Sequence, residues 1–153
     1  QKNVFIPSYV QFIPGKAFER CDILSSVVFE SNSQVEKIGP DAFAETGLLS
    51  FAFPSSVKEI GPYAFWNIPS LRDISFENDS ELILIQEGAF ELTGLLDVSI
   101  PQKVRHLGPG AFYHCFSLKK ISFAPRSRLE SIGEEAFDGT SLTLTFQPFI
   151  EKN

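Results

Sequence analysis

The chain has 153 residues, 43% of them hydrophobic and 21% charged, which is one ordinary domain and too apolar for a disordered chain. A formal net charge of -6 and a pI near 4.9 argue against a general electrostatic grip on nucleic acid, and no apolar run approaches the ~18 residues of a membrane-spanning helix. The composition is odd in one respect, with 16 Phe and no Met.

The chain opens at Gln1 with no charged n-region, apolar stretch or cleavage site, so targeting is not legible from this end. Val4 to Ile13 enters directly in a register that recurs to the far end. Its marker is Ala-Phe, at Phe18, Phe43, Phe65, Phe90, Phe112 and Phe137, with spacings of 25, 22, 25, 22 and 25 residues. Such periods signal a solenoid or propeller, and the alternation makes the true unit a pair of coils, 47 residues long. Five residues before each Phe stands Ile13, Ile38, Ile60, Ile85, Leu107 or Ile132, and three before that Val10, Val35, Val57, Leu82, Val104 or Leu129. After the Phe comes Leu24, Leu48, Leu71, Leu95, Leu118 or Leu142.

In the first five repeats Leu-x-x-Ile-x-Phe-like spacing predicts a short strand. The final repeat departs, with Leu142, Leu144 and Phe146 alternating. The extra length of the long coils falls in polar linkers such as Glu30 to Gln34 and Glu77 to Glu81, where insertion is cheap. Val-x-x-Ile predicts a second short extended piece. Gly39, Gly61, Gly108 and Gly133 follow it and are expected to supply a bend with positive φ. Ala-Phe is expected on a short helical or 3-10 turn, with each Phe stacked on the Phe of the next coil and the strands paired at ~4.8 Å. Cys21 and Cys115 lie four coils apart, roughly 20 Å on that spacing, too far for a disulfide. Both are expected to be small buried fillers.

The pattern in Phe53-Pro-Ser-Ser-Val-Lys-Glu-Ile-Gly-Pro-Tyr-Ala-Phe65 and Leu129-Glu-Ser-Ile-Gly-Glu-Glu-Ala-Phe137 resembles the BspA-like leucine-rich repeat family over essentially the whole chain. The resemblance implies a short right-handed leucine-rich-repeat solenoid of about six coils, with short parallel β-strands. It also implies a cell-surface or secreted protein of bacteria or protists, often one for adhesion or host-protein binding. The alternating coils with Phe-Glu-Ser-Asn-Ser look especially like members from parasitic protists. The Leu-x-x-Asn ladder of other leucine-rich repeats is missing, which leaves its work to Phe stacking. Residues 1–153 read as a single solenoid and, lacking an obvious cap, as a piece of a longer array, unless the segment Leu142 to Ile150 serves as a modest lid.

Function must then lie on the outer skin. The outward strand positions form columns, Ser26, Ser50, Asp73, Asp97, Lys120 and Val28, Ala52, Ser75, Ser99, Ser122. Asp73, Ser75, Asp97, Ser99, Lys120 and Ser122 are the candidate binding face, small and polar enough to admit a partner. Phe12, Ile83 and Leu84 face outward from the Val-x-x-Ile piece and are a candidate apolar contact. Tyr63, Trp66, Tyr113 and Phe116 surround the Ala-Phe turns, where aromatics serve an interface or cover the core. Residues 30–100 hold 12 acidic and 3 basic residues, whereas 101–129 hold six basic and no acidic ones. Lys103, Arg105, Lys119, Lys120, Arg126 and Arg128 are therefore a candidate basic patch for an acidic protein or glycan, with coil-to-coil pairing to Asp97 and Glu130 the plainer reading. Asn78-Asp79-Ser80 is a glycosylation sequon.

No catalytic, cofactor or metal site is expected. His106 and His114 have no third ligand at zinc spacing, no Gly-rich loop precedes a helix, and no Ser sits in a nucleophile elbow. The sequence thus predicts a non-enzymatic surface or secreted recognition module binding protein or glycan, not nucleic acid. The alternative is a cytoplasmic scaffold repeat docking onto a large assembly.

Overall fold

The structure, a computed structural model, describes residues 2–143; Leu144, Phe146 and nearly all of the suggested lid segment lie outside the described residues. Each of six coils contributes a strand of the Leu-x-x-Ile-x-Phe type and a two-residue strand of the Val-x-x-Ile type. The first set is β1 (Lys2–Ile6), β3 (Leu24–Phe29), β5 (Ser50–Phe53), β7 (Asp73–Phe76), β9 (Asp97–Ile100) and β11 (Lys120–Phe123). The second is β2 (Phe12–Ile13), β4 (Lys37–Ile38), β6 (Glu59–Ile60), β8 (Leu84–Ile85), β10 (His106–Leu107) and β12 (Ser131–Ile132). All pairs are parallel, the arrangement of a stacked solenoid.

The six repeat phenylalanines form a continuous spine. Successive rings lie 5.2, 5.3, 5.2, 5.4 and 5.6 Å apart from Phe18 to Phe137, within 17° of parallel. Phe43, Phe65, Phe90 and Phe112 are fully buried, and Phe18 and Phe137 in the outer coils are half-buried. Phe51 and Phe53 pack edge-on against Phe65 at 4.8 and 5.4 Å, and Phe53 stacks on Phe76 at 4.7 Å. The Val, Ile and Leu columns fill the rest of one contiguous core. The single coil has no interior of its own, so stacking is what removes these side chains from water.

The Ala-Phe turns are not helical, which corrects the expectation. In the second coil Ala42 N–H donates to Gly39 and Ala44 N–H to Asp41, three residues back. The alternate groups, Asp41, Phe43 and Glu45, donate instead to Pro62, Ala64 and Trp66 of the next coil at 3.1, 2.8 and 2.9 Å. A helix would consume these donors internally. Here they tie coil to coil, which satisfies backbone groups beside the buried rings. Positive φ at Asp41 (54°) and Glu45 (55°) breaks the helical course, and the same two positions are left-handed in every coil, as at Tyr63 and Asn67 or Gly110 and His114.

The glycines after Val-x-x-Ile are also corrected. Gly39, Gly61, Gly108 and Gly133 are not among the residues with positive φ. They are needed for close approach: a Cβ on Gly61 would come 2.7 Å from the Ile38 carbonyl oxygen, and one on Gly39 2.5 Å from the Gly15 nitrogen.

The strand ladders differ from expectation too. Among the described residues the long strands pair two by two, β1 with β3, β5 with β7 and β9 with β11. The two-residue strands instead form the continuous six-stranded ladder, β2-β4-β6-β8-β10-β12. The broad face therefore follows the 47-residue double coil, and the narrow face follows every coil.

Candidate functional site

On the broad face the outward side chains stand in straight files because parallel pairing fixes their register. Ser50 is opposite Asp73, and Ala52 opposite Ser75. Asp97 is opposite Lys120, and Ser99 opposite Ser122. The Ser99 and Ser122 hydroxyls are hydrogen-bonded at 3.1 Å. Asp73, Ser75, Asp97, Ser99 and Lys120 are exposed and Ser122 half-buried, so the six candidate residues come together on three successive coils. The file beside them was not picked out from the sequence. Arg72 N–H donates to Leu49 O at 3.0 Å, Leu96 to Arg72 at 3.4 Å and Lys119 to Leu96 at 2.9 Å, which aligns Leu49, Arg72, Leu96 and Lys119. Leu49 and Leu96 are 52% and 44% exposed. The available signal was a second Leu after Leu48 and Leu95, which reads as core until the register shows it pointing out.

The narrow face is mostly ion-paired. Lys58 meets Glu36 at 3.1 Å and Lys37 meets Glu59 at 3.2 Å, with the Gln86 side-chain amide also donating to Glu59. Further along, Arg105 and His106 Nε2 approach Glu130 at 3.7 and 3.8 Å, and His106 Nδ1 lies 2.7 Å from the Ser131 hydroxyl. Ile83 and Leu84 sit between these two charged groups, whereas Phe12 stands at the start of the ladder, beyond Lys37 and Glu59. The three apolar candidates are therefore not one patch.

The six basic candidates divide likewise. Lys119 and Lys120 belong to the broad face. Lys103 is held 2.6 Å from Glu81, and that contact, first through its hydrogen bond, holds the Glu81 carboxyl below its ordinary value. Arg128 donates its backbone N–H to Gln102 O at 2.9 Å, which sets it beside Lys103, and Arg126 is in the same linker. Exposed pairs of this kind contribute little to stability. Asn78 is exposed on a turn, with Ser80 buried beside it.

The cysteines part company. Cys115 is buried, its Sγ 3.0 Å from Phe90 O and 3.2 Å from Thr93 Oγ1, and burial pushes its thiol up. Cys21 is exposed, against expectation: no Ala-Phe turn precedes its own among the described residues. His114 points away from Cys115 into a surface stack, 3.8 Å from the Tyr113 ring and 5.1 Å from that of Phe116. Phe116 is 62% exposed and so does not cover the core; Trp66 is half-buried. Among the described residues no group of three His, Cys, Asp or Glu could hold a metal ion, and no helix is long and apolar enough to cross a membrane.

A ring-stacked parallel solenoid with this repeat defines a leucine-rich repeat protein. The model of the BspA-type leucine-rich repeat region, six copies, matches residues 1–119 and 36–149, and the chain belongs to that family. Among solved structures it is similar to the pneumococcal vaccine antigen PcpA, with 30% identity and TM-score 0.78 over 81% of this chain and 31% of that one. The leucine-rich repeat protein of T. pallidum is 29% identical, TM-score 0.77, over 90% and 62%. A leucine-rich cell surface protein of Faecalibacterium prausnitzii is 28% identical, TM-score 0.59, over 82% and 39%. The chain thus spans about a third to three fifths of these structures. Among curated proteins none matches it.

Proposed function

We propose that the chain is a non-enzymatic recognition module, displayed at a cell surface or secreted, that binds a protein or glycan through its broad face. The observation that carries this reading is the register of Asp73, Ser75, Asp97, Ser99, Lys120 and Ser122 on successive coils. It presents carboxylates, hydroxyls and an ammonium group in fixed rows on a frame held by one contiguous apolar core. Display outside the cell is supported by the neighbours described as a vaccine antigen and a cell surface protein.

The test is binding to a panel of immobilised glycans and purified extracellular proteins. Ser75→Arg/Ser99→Arg fills the small-residue file with bulk and charge, and is compared with charge reversal at Lys119 and Lys120. A partner of the broad face should lose at least tenfold in affinity with one pair or the other. Unchanged binding of a confirmed partner to both variants refutes the assignment.

A further inference from the structure

The file Leu49, Arg72, Leu96, Lys119 alternates an exposed leucine with a cation over four successive coils, the Arg72 guanidinium also donating to Gly94 O at 3.4 Å. Successive coils lie 5.2–5.6 Å apart at the ring spine, and at the file the backbone hydrogen bonds of 2.9–3.4 Å hold them near the strand spacing of about 4.8 Å. The pitch of an α-helix is about 5.4 Å. A helix laid along the solenoid axis therefore advances one turn per coil to within about 0.6 Å and presents one side chain to each of the four members of the file. Other backbones do not keep step. An extended strand presents same-face side chains about 6.8 Å apart, and a polyproline II helix repeats every ~9.3 Å, which would leave the cations unmet.

We propose that this file is a docking stripe for an amphipathic α-helix of a partner protein. Apolar residues seven apart on that helix rest on Leu49 and Leu96, and carboxylates three or four residues after each face Arg72 and Lys119. The charge requirement follows from the two cations, and the spacing from the two leucines standing two coils apart. Asp73 and Asp97 in the adjoining file favour basic residues on that flank of the helix, which fixes its rotation about its own axis. The inference rests on the broad face being the recognition surface and names the partner's form there.

The probe is a synthetic helical peptide of about 18 residues with leucines seven apart and glutamates three and four residues after each, titrated against the full chain by fluorescence anisotropy. Saturable binding is expected, weakened at least tenfold by Leu49→Glu/Leu96→Glu and as much by moving the peptide's second leucine two residues. Both leucines are surface side chains, so the variant should keep the parent's thermal midpoint, which circular dichroism checks. Arg72→Glu/Lys119→Glu should reject this peptide and accept one carrying lysine in place of glutamate. Absence of saturable binding, equal binding of the shifted peptide, or equal binding of a proline-substituted non-helical peptide overturns the proposal. If the peptide fails while Ser75→Arg/Ser99→Arg still abolishes binding of a panel partner, the helix falls and the broad face stands. If the leucine, serine and lysine variants all leave a panel partner's affinity unchanged, both fall.

Discussion

Phe65→Ala is the sharpest probe of the ring spine. The Phe65 side chain is fully buried, stacked on Phe43 at 5.3 Å and Phe90 at 5.2 Å, and met edge-on by Phe51 and Phe53. Truncating a buried Phe costs about 3–5 kcal/mol through lost transfer energy and the cavity left behind. Aromatic pairs add about 0.5–1.5 kcal/mol beyond burial, so with four ring partners the upper end, ~4–5 kcal/mol, is expected. Phe18, half-buried and stacked on Phe43, should cost about half as much by the same reasoning. Against a typical total of ~5–15 kcal/mol the central variant is near the limit of folding. Phe65→Leu serves beside it, keeping most of the volume and losing the ring contacts, with an intermediate loss of about 1.5–3 kcal/mol. Urea denaturation followed by circular dichroism, with the slope checked for constancy, gives the three values. A Phe65→Ala loss no greater than that of Phe18→Ala, or a Phe65→Leu protein as stable as the parent, would show that the rings are generic filler rather than a coupled stack.

Two further outcomes follow from the backbone and the thiols. Gly61→Ala should destabilise by about 1–3 kcal/mol, the usual cost of overpacking, because the added methyl meets the Ile38 carbonyl oxygen rather than a side chain that can swing away. Gly110→Ala, left-handed and with only an ordinary 3.5 Å contact to Tyr113 Cβ awaiting the methyl, should cost about 1–2 kcal/mol from backbone strain alone, and thermal denaturation of the two variants compares clash with strain. An Ellman titration should find Cys21 reactive in the native protein and Cys115 reactive only on unfolding. Because the Cys115 thiol is raised above its ordinary 9.0 by burial, the unfolded chain loses that proton first as pH rises. Its contribution is therefore intact below about pH 9 and declines above it, and a Cys115→Ala protein should show a flatter stability profile there.

The sequence carried the solenoid because core positions repeat without compromise: Ala-Phe at every coil, an aliphatic five residues ahead, a leucine behind. What escaped it was set by contacts between coils. The turns looked helical because their apolar spacing is short, yet half of their N–H groups bond to the next coil. Nothing in Lys16, Arg20, Tyr63 or Leu92 as residue types announces a left-handed backbone, since stacking imposes it. Glycine was read for its φ, when its value here is the missing methyl where two backbones nearly touch. The small polar files of the broad face were legible from alternation. The Leu49–Leu96 file was not, because an exposed leucine next to a buried one is indistinguishable by type until the register is known.

The two-by-two pairing of the long strands bears on how such an array can change in size. Among the described residues each broad-face strand has one laddered mate, and only single bonds such as Leu49 N–H to Ser25 O bridge from one couple to the next. Duplicating or deleting a single coil would leave one strand widowed and would reverse the partner choice of every strand beyond it. Copying a whole 47-residue couple restores every marriage. Growth or trimming by whole couples is thus the change that preserves this pairing, and a ligand that reads across several coils would then see its footprint shift by a full couple.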